Sequence, residues 1–248
     1  MPQRIEFRIR RQDSPQAPPR WEEFSVPYRP NMNVISTLME IQRNPVTRDG
    51  KRTSPPVWES NCLEEVCGAC SMLINGRVRQ ACSALIDHLT QPIVLKPMSK
   101  FPVVRDLIVD RSRMFAALTR VRAWVPIDGT HALGAGPRVD PHGQERAYAL
   151  SRCMTCGCCL EACPQVNARS DFMGAFVFAQ VELHNMHPTG AMHAGERLEA
   201  VMGLGGIADC ANAQNCVAVC PKEIPLTEAI AEVGRQTTKY MVRRFFWR

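Results

Sequence analysis

Twelve cysteines stand in this chain of 248 residues, and eleven of them fall into three spaced groups. Cys62, Cys67 and Cys70 make a C-x4-C-x2-C run with Cys82 at a distance. Cys153, Cys156, Cys159 and Cys163 make C-x2-C-x2-C-x3-C with Pro164 behind it, and Cys210, Cys216 and Cys220 are followed by Pro221. These spacings are those of iron–sulfur cluster ligation. The chemistry they point to is electron transfer.

The first run, with its distant fourth cysteine, has the plant-type spacing for a [2Fe–2S] cluster. The residues show how the fourth ligand returns. Ser71 to Ile74 and Arg77 to Ala81 flank Asn75-Gly76, a strong hairpin signal, so the chain folds back and delivers Cys82 beside the loop. The second run is of the bacterial type, in which the fourth cysteine serves the other cluster of a two-cluster domain. If Cys210 opens the second of two such runs, its register expects cysteines at 210, 213, 216 and 220, but Ala213 occupies one place. Exchange of the last cysteines assigns Cys153, Cys156, Cys159 and Cys220 to a [4Fe–4S] cluster. It leaves Cys163, Cys210 and Cys216 as three ligands. Alanine cannot bind iron, so a [3Fe–4S] cluster is expected there, with a water-ligated [4Fe–4S] centre as the lesser alternative. Cys158 is left over and is read as a small buried apolar side chain.

Rival readings fare worse. A disulfide framework suits short secreted chains, and the N-terminus lacks a basic-then-apolar signal pattern. Structural zinc uses separated pairs rather than a continuous four-cysteine run. Gly203-Leu204-Gly205-Gly206-Ile207-Ala208 fits G-x-G-x-x-A, but it follows a helical pattern and runs into Cys210, so it reads as a backbone turn. None of His88, His131, His142, His184, His187 and His193 pairs with a carboxylate or serine in a catalytic pattern. No nucleophile, P-loop or flavin-binding pattern is present, so substrate turnover belongs elsewhere.

Hydrophobic content of 45% suits a packed core, and the thiolates favour a reducing compartment. No apolar run is long enough to span a bilayer. The net charge of +6 is spread over the chain, which reads as solvated faces and no nucleic-acid partner. The exception is the tail Tyr240-Met241-Val242-Arg243-Arg244-Phe245-Phe246-Trp247-Arg248, where interleaved aromatic and basic residues suit a membrane interface or a membrane-bound subunit.

The elements that must position these cysteines fall into two halves, an α+β fold. Ile5, Phe7 and Ile9 alternate with charged residues, and Trp21, Phe24 and Val26 make a second strand beyond a Pro-rich turn. Asn33 is an N-cap for a helix carrying Val34, Leu38 and Ile41, residues 44–56 are a loop, and Ile93 to Leu95 close the sheet. This describes a β-grasp [2Fe–2S] domain over 1–102. The remainder, 103–248, reads as an all-α two-cluster domain. Val104, Leu107, Ile108, Phe115, Leu118 and Val121 stand at helical spacing as a core stripe. A Gly/Pro-rich loop covers Asp128 to Gly143, and a helix from about Gln144 leads into Cys153. Further helices are expected from capping Ser170, over Glu196 to Met202 before Gly203, and from Thr227 onward.

The order of these motifs, from the first cysteine loop through Cys153-Met-Thr-Cys156-Gly-Cys158-Cys159-Leu-Glu-Ala-Cys163-Pro164 to Cys210-Ala-Asn-Ala-Gln-Asn-Cys216-Val-Ala-Val-Cys220-Pro221, resembles the iron–sulfur subunits of succinate dehydrogenase and fumarate reductase. The resemblance covers essentially the whole chain, and His187-Pro188-Thr189-Gly190-Ala191-Met192 with Glu196-Arg197-Leu198-Glu199 is similar to the Gram-positive form. It implies a subunit between an FAD-containing flavoprotein and a membrane-anchor cytochrome b subunit, peripheral on the cytoplasmic face of the bacterial cell membrane. Electrons would pass from FAD through [2Fe–2S], [4Fe–4S] and [3Fe–4S] to a quinone, or in reverse in a fumarate reductase. Ubiquinone-reducing relatives carry tryptophans after the proline that follows the first [3Fe–4S] ligand, and a histidine after the second. Here Gln165-Val166-Asn167 and Ala211 stand instead, which favours menaquinone and leaves Pro164 as a candidate lining residue. Thiol:fumarate reductase, glycolate-oxidase and xanthine-dehydrogenase types are set aside because their further cysteine repeats or second [2Fe–2S] motif are missing from this sequence.

Overall fold

The computed structural model describes residues 3–126 and 138–246. The chain divides into two compact units, one of Met1–Arg111 with Met154–Glu161, the other of Ser112–Cys153 with Ala162–Arg248.

The first unit is built on a five-stranded sheet. Strands β1 (Arg4–Arg11), β2 (Arg20–Pro27), β3 (Ser71–Ile74), β4 (Arg77–Gln80) and β5 (Ile93–Lys96) take the order β2-β1-β5-β3-β4. β1 pairs antiparallel with β2 and parallel with β5. The alternation of Ile5, Phe7 and Ile9 points one face of β1 inward, where all three are buried with Phe24, Ile93 and Leu95. Helix α1 (Val34–Arg43) lays Val34, Ile35, Leu38 and Ile41 on that face. Its start is fixed by a capping box, in which Asn33 Oδ1 accepts from Ser36 N and Ser36 Oγ accepts from Asn33 N. Asn75 (φ +50°) and Gly76 (φ +79°) both take the left-handed backbone that a two-residue hairpin requires, and β4 returns to Cys82 as expected. The sheet with its packed helix is the β-grasp α+β arrangement read from the sequence.

A buried ionic clamp ties the ends of this unit together. Asp106, fully buried and left-handed at φ +48°, accepts from Arg11 Nε at 2.9 Å, Gln12 N at 2.9 Å and Val57 N at 3.0 Å. Arg11 also donates to Glu22, to Ser54 O at 3.1 Å and to Pro55 O at 3.3 Å. The segment 54–57 that leads to Cys62 is thereby held on β1.

Residues 103–109 depart from the sequence reading. They form a second hairpin, β6 (Val103–Arg105) with β7 (Ile108–Val109), instead of the first turns of a helix. The helix is confined to α2 (Ser112–Arg120), and while Leu107 and Val121 are buried as expected, Val104 and Phe115 are exposed, so the six do not form one helical core face. Strands win because Asp106 adopts the left-handed turn that the Arg11 clamp demands, which a helix cannot contain.

A short helix, α4 (Cys158–Ala162), follows α3 (Pro141–Ser151) in the chain, and the second unit packs α3, α6 (Ala194–Met202) and α8 (Leu226–Phe246) around α5 (Ala175–Met186). α5 buries Phe176, Val177, Phe178, Ala179 and Val181, most of its circumference, as a central helix must. α3 begins at Asp140 and Pro141 rather than at Gln144; the part of the expected loop at 128–137 lies outside the described residues. Ser170 does not cap α5. Its Oγ accepts from Phe172 N in a local turn, and the helix starts at Gly174, whose φ of +98° no capping serine would adopt readily. The Gly203–Ala208 segment is a turn after α6, as read. A Cβ on Gly205 would stand 2.0 Å from Asp171 O, and one on Gly206 1.9 Å from Val201 O, so glycine is demanded by close backbone approach.

Candidate metal centres

The first cysteine loop is coiled by alternating left-handed residues, Leu63 at φ +62° and Glu65 at φ +56°, with Gly68 at φ +72°. Each of the first two turns the following amide toward one sulfur. Cys62 Sγ accepts from Glu64 N at 3.4 Å, Val66 N at 3.2 Å and Cys67 N at 3.3 Å. These amides, led by those of Glu64 and Val66, lower the Cys62 thiol to about 7. Strained backbone held in this way is characteristic of functional loops. Cys70 and Cys82 are buried beneath, where burial pushes the Cys70 thiol up to about 12 and Cys82 stands within hydrogen-bond reach of it.

Arg111 pins the loop from the other side, donating to Gly68 O at 2.8 Å and Ala69 O at 2.6 Å. Its Nε is buried and has no hydrogen-bond partner. Four sulfurs, three inward amides and an unspent guanidinium donor make a site that fits an anionic [2Fe–2S] group.

Within the same unit, the segment Met154–Glu161 carries Cys156, Cys158 and Cys159. Thr155 (φ +52°) and Gly157 (φ +86°) repeat the left-handed alternation. Glu161 anchors the segment, accepting from Ser99 N at 2.9 Å and Lys100 N at 3.0 Å as well as from the Ser99 hydroxyl. Cys158 is fully buried, as the sequence suggested, and it has a polar neighbour: Gln80 Nε2 lies 3.4 Å from its Sγ. Cys158 and burial together raise the Cys156 thiol.

In the second unit a recess is lined by Cys163, Pro164, Phe172, Cys210, Ala213 and Cys216, among others. The loop from Cys210 to Cys216 is wound by Asn212 (φ +51°) and Gln214 (φ +60°), and α7 (Asn215–Ala218) follows, tied by Asn215 Nδ2 to Ala162 O at 3.0 Å. Burial raises the Cys216 thiol, and the neighbouring Cys163 and Cys210 thiols raise it further. Three sulfurs lining one recess are a donor set that suits a polynuclear iron group, and the fourth place holds a methyl group.

All twelve cysteines are free. Among the described residues, no three His, Cys, Asp or Glu side chains converge as a single-ion site, whereas a cluster divides its thiolates among several irons. His193 does meet a carboxylate, Glu196 Oε1 at 3.0 Å, which the sequence reading did not anticipate. That pair is surface-exposed at the start of α6, where Glu196 also takes Arg122. His131 lies outside the described residues. Gln80, Arg111 and Glu161 carry no motif that sequence reasoning could have found.

The fold and sulfur loops define an iron–sulfur protein that joins a plant-type domain to a dicluster domain. Residues 6–116 match the 2Fe-2S iron-sulfur cluster binding domain family, and 149–224 match the 4Fe-4S dicluster domain family. The succinate dehydrogenase iron-sulfur subunit of Bacillus subtilis is 62% identical over 242 residues, covering 98% of this chain and 96% of that one. The fumarate reductase iron-sulfur subunit of Wolinella succinogenes is 28% identical over 221 residues, covering 88% and 90%. A chain of the apo Mycobacterium smegmatis Sdh1 complex shares the fold with a TM-score of 0.79 at 21% identity, covering 95% and 96%. The chain belongs to the succinate dehydrogenase iron–sulfur subunits, the electron-transfer subunits of succinate:quinone oxidoreductase.

Proposed function

We propose that this chain carries electrons from the FAD of a flavoprotein partner to a membrane quinone through three clusters. Cys62, Cys67, Cys70 and Cys82 hold [2Fe–2S], Cys153, Cys156, Cys159 and Cys220 hold [4Fe–4S], and Cys163, Cys210 and Cys216 hold [3Fe–4S]. Bound clusters supply one-electron redox chemistry at potentials tuned by type, charge and hydrogen bonding. The observation that carries the reading is Ala213, which lines the same recess as Cys163, Cys210 and Cys216 and offers no ligand.

The first cysteine domain is assigned to 1–102 and the dicluster domain to 103–248. Pro164 lines the recess beside Cys163, which supports a place near the quinone, while Val166 is fully buried and is not part of that lining. The missing tryptophans favour menaquinone. No helix among the described residues is long and apolar enough to cross a membrane, so a cytochrome b anchor subunit is proposed to hold the chain at the cytoplasmic face of the bacterial cell membrane. The end of α8 supports that seat: Met241, Val242, Phe245 and Phe246 are exposed beside Arg243 and Arg244. Succinate oxidation is favoured over the reverse direction, since the fumarate reductase relative named above is much the more distant.

Low-temperature EPR with iron quantification on the gently purified complex tests the assignment. An oxidised [3Fe–4S] signal, a reduced [2Fe–2S] signal and about nine irons per chain are expected. Zinc in place of iron, or no [3Fe–4S] signal in intact protein, overturns the ligand register.

A further inference from the structure

Gln80 closes β4 with its side chain fully buried, and its amide meets three groups of the first unit. Oε1 lies 3.4 Å from Cys70 Sγ, while Nε2 lies 2.8 Å from Ser71 Oγ and 3.4 Å from Cys158 Sγ. Ser71 Oγ donates in turn to Gly68 O at 2.9 Å. This arrangement serves a protonated Cys70, whose thiol donates to Oε1.

A cluster ligand has no such proton, and a thiolate facing a carbonyl oxygen is repelled by it. Half a turn of the amide exchanges oxygen and nitrogen at the same two positions. Nε2 then donates to Cys70 Sγ. Oε1 then faces the Cys158 thiol and the Ser71 hydroxyl, which turns from Gly68 O to donate to it and leaves that carbonyl to Arg111 Nη1 at 2.8 Å. All members remain paired in both arrangements, so the network accommodates either state of Cys70 without moving a heavy atom far.

We propose that Gln80 is a positioning residue for the [2Fe–2S] ligand Cys70: its amide donates to the ligand sulfur, oriented by Ser71 and Cys158, and raises the cluster's reduction potential. The inference rests on Cys70 being a ligand, as proposed above. A donor to the sulfur stabilises the more negative, reduced cluster more than the oxidised one. The same network gives Cys158 a purpose that ligation does not, as the thiol that holds the amide oxygen.

The test is an EPR redox titration of the whole complex carrying Gln80→Met, which keeps length and removes the donor. The expected result is a reduced [2Fe–2S] signal of normal intensity and about a tenfold fall in its one-electron reduction equilibrium, or about 59 mV, with the other clusters unmoved. Cys158→Ala shifts the midpoint less in the same direction, and Cys158→Ser restores it. An unmoved midpoint in iron-replete Gln80→Met overturns the proposal. If that variant loses its iron, pulsed EPR of the native complex with isotope-labelled glutamine side-chain nitrogen decides: a coupling supports the contact and its absence refutes it. Should Cys70→Ser leave the [2Fe–2S] spectrum unchanged, the ligand assignment is what failed.

Discussion

Asp106→Ala removes the acceptor at the centre of the clamp. The carboxylate is fully buried and takes Arg11 Nε, Gln12 N and Val57 N, all at 2.9–3.0 Å. Breaking a buried ion pair by deleting one partner costs about 3–5 kcal/mol. Arg11 retains Glu22, Ser54 and Pro55, which places the pair loss at the low end of that range. The two amides lose a charged acceptor, at about 1–3 kcal/mol each, though losses within one network overlap. Alanine must also adopt φ +48°, disfavoured by about 1 kcal/mol. The sum is about 5 kcal/mol. With a urea dependence near 2 kcal/mol per molar, the unfolding midpoint of the first unit falls by about 2.5 M. Asp106→Asn keeps an oxygen and tolerates the left-handed backbone, so it should lose about half as much. Urea unfolding followed by circular dichroism on the three proteins, with iron content measured alongside, reads this directly. A midpoint in Asp106→Ala within about 0.5 M of the parent, under a quarter of the expected shift, refutes the reasoning.

Ala213→Cys supplies the missing thiolate in the recess, and the oxidised [3Fe–4S] EPR signal should give way to that of a reduced [4Fe–4S] cluster; an unchanged oxidised spectrum counts against the register. Gly205→Ala combines φ +72° with a Cβ 2.0 Å from Asp171 O, so about 3 kcal/mol is lost and the melting temperature drops by about 6–12 °C in a thermal scan. Burial holds His184 below the ordinary histidine value, with Arg197 and His187 acting in the same direction. Its contribution to stability is complete above about pH 6.5, and is lost as pH falls toward the folded value because the unfolded chain binds the proton first. His184→Gln should remove up to about 1.4 kcal/mol per pH unit of that acid slope, and a stability profile with the same slope in both proteins contradicts it.

Much of the first unit was legible because its signals are local. Alternation of Ile5, Phe7 and Ile9, the Asn33 cap and the Asn75-Gly76 turn each act within a few residues. Val104, Leu107 and Ile108 misled because a short apolar run satisfies helix and hairpin spacing alike, and the deciding partner, Arg11, lies far away in sequence. Cysteine spacing marks the ligand loops, but the left-handed backbone that aims their amides falls on Leu63, Glu65, Thr155 and Gln214, which carry no glycine mark. The burial of Cys158 was legible, but its polar neighbour was not. Gln80, which meets it, stands on a strand where polar residues ordinarily face water.

The membership of Met154–Glu161 in the first unit bears on how the protein is made. A nascent chain released only to Arg111 lacks the carboxylate that satisfies Ser99 N and Lys100 N, and the thiol that meets Gln80. At about 5–20 residues per second, translation from Arg111 through Glu161 takes roughly 3–10 s. During that interval the amino-terminal sulfur loop is exposed in an unfinished domain, a window in which iron delivery can precede closure. Biogenesis of this chain is therefore interleaved rather than domain by domain.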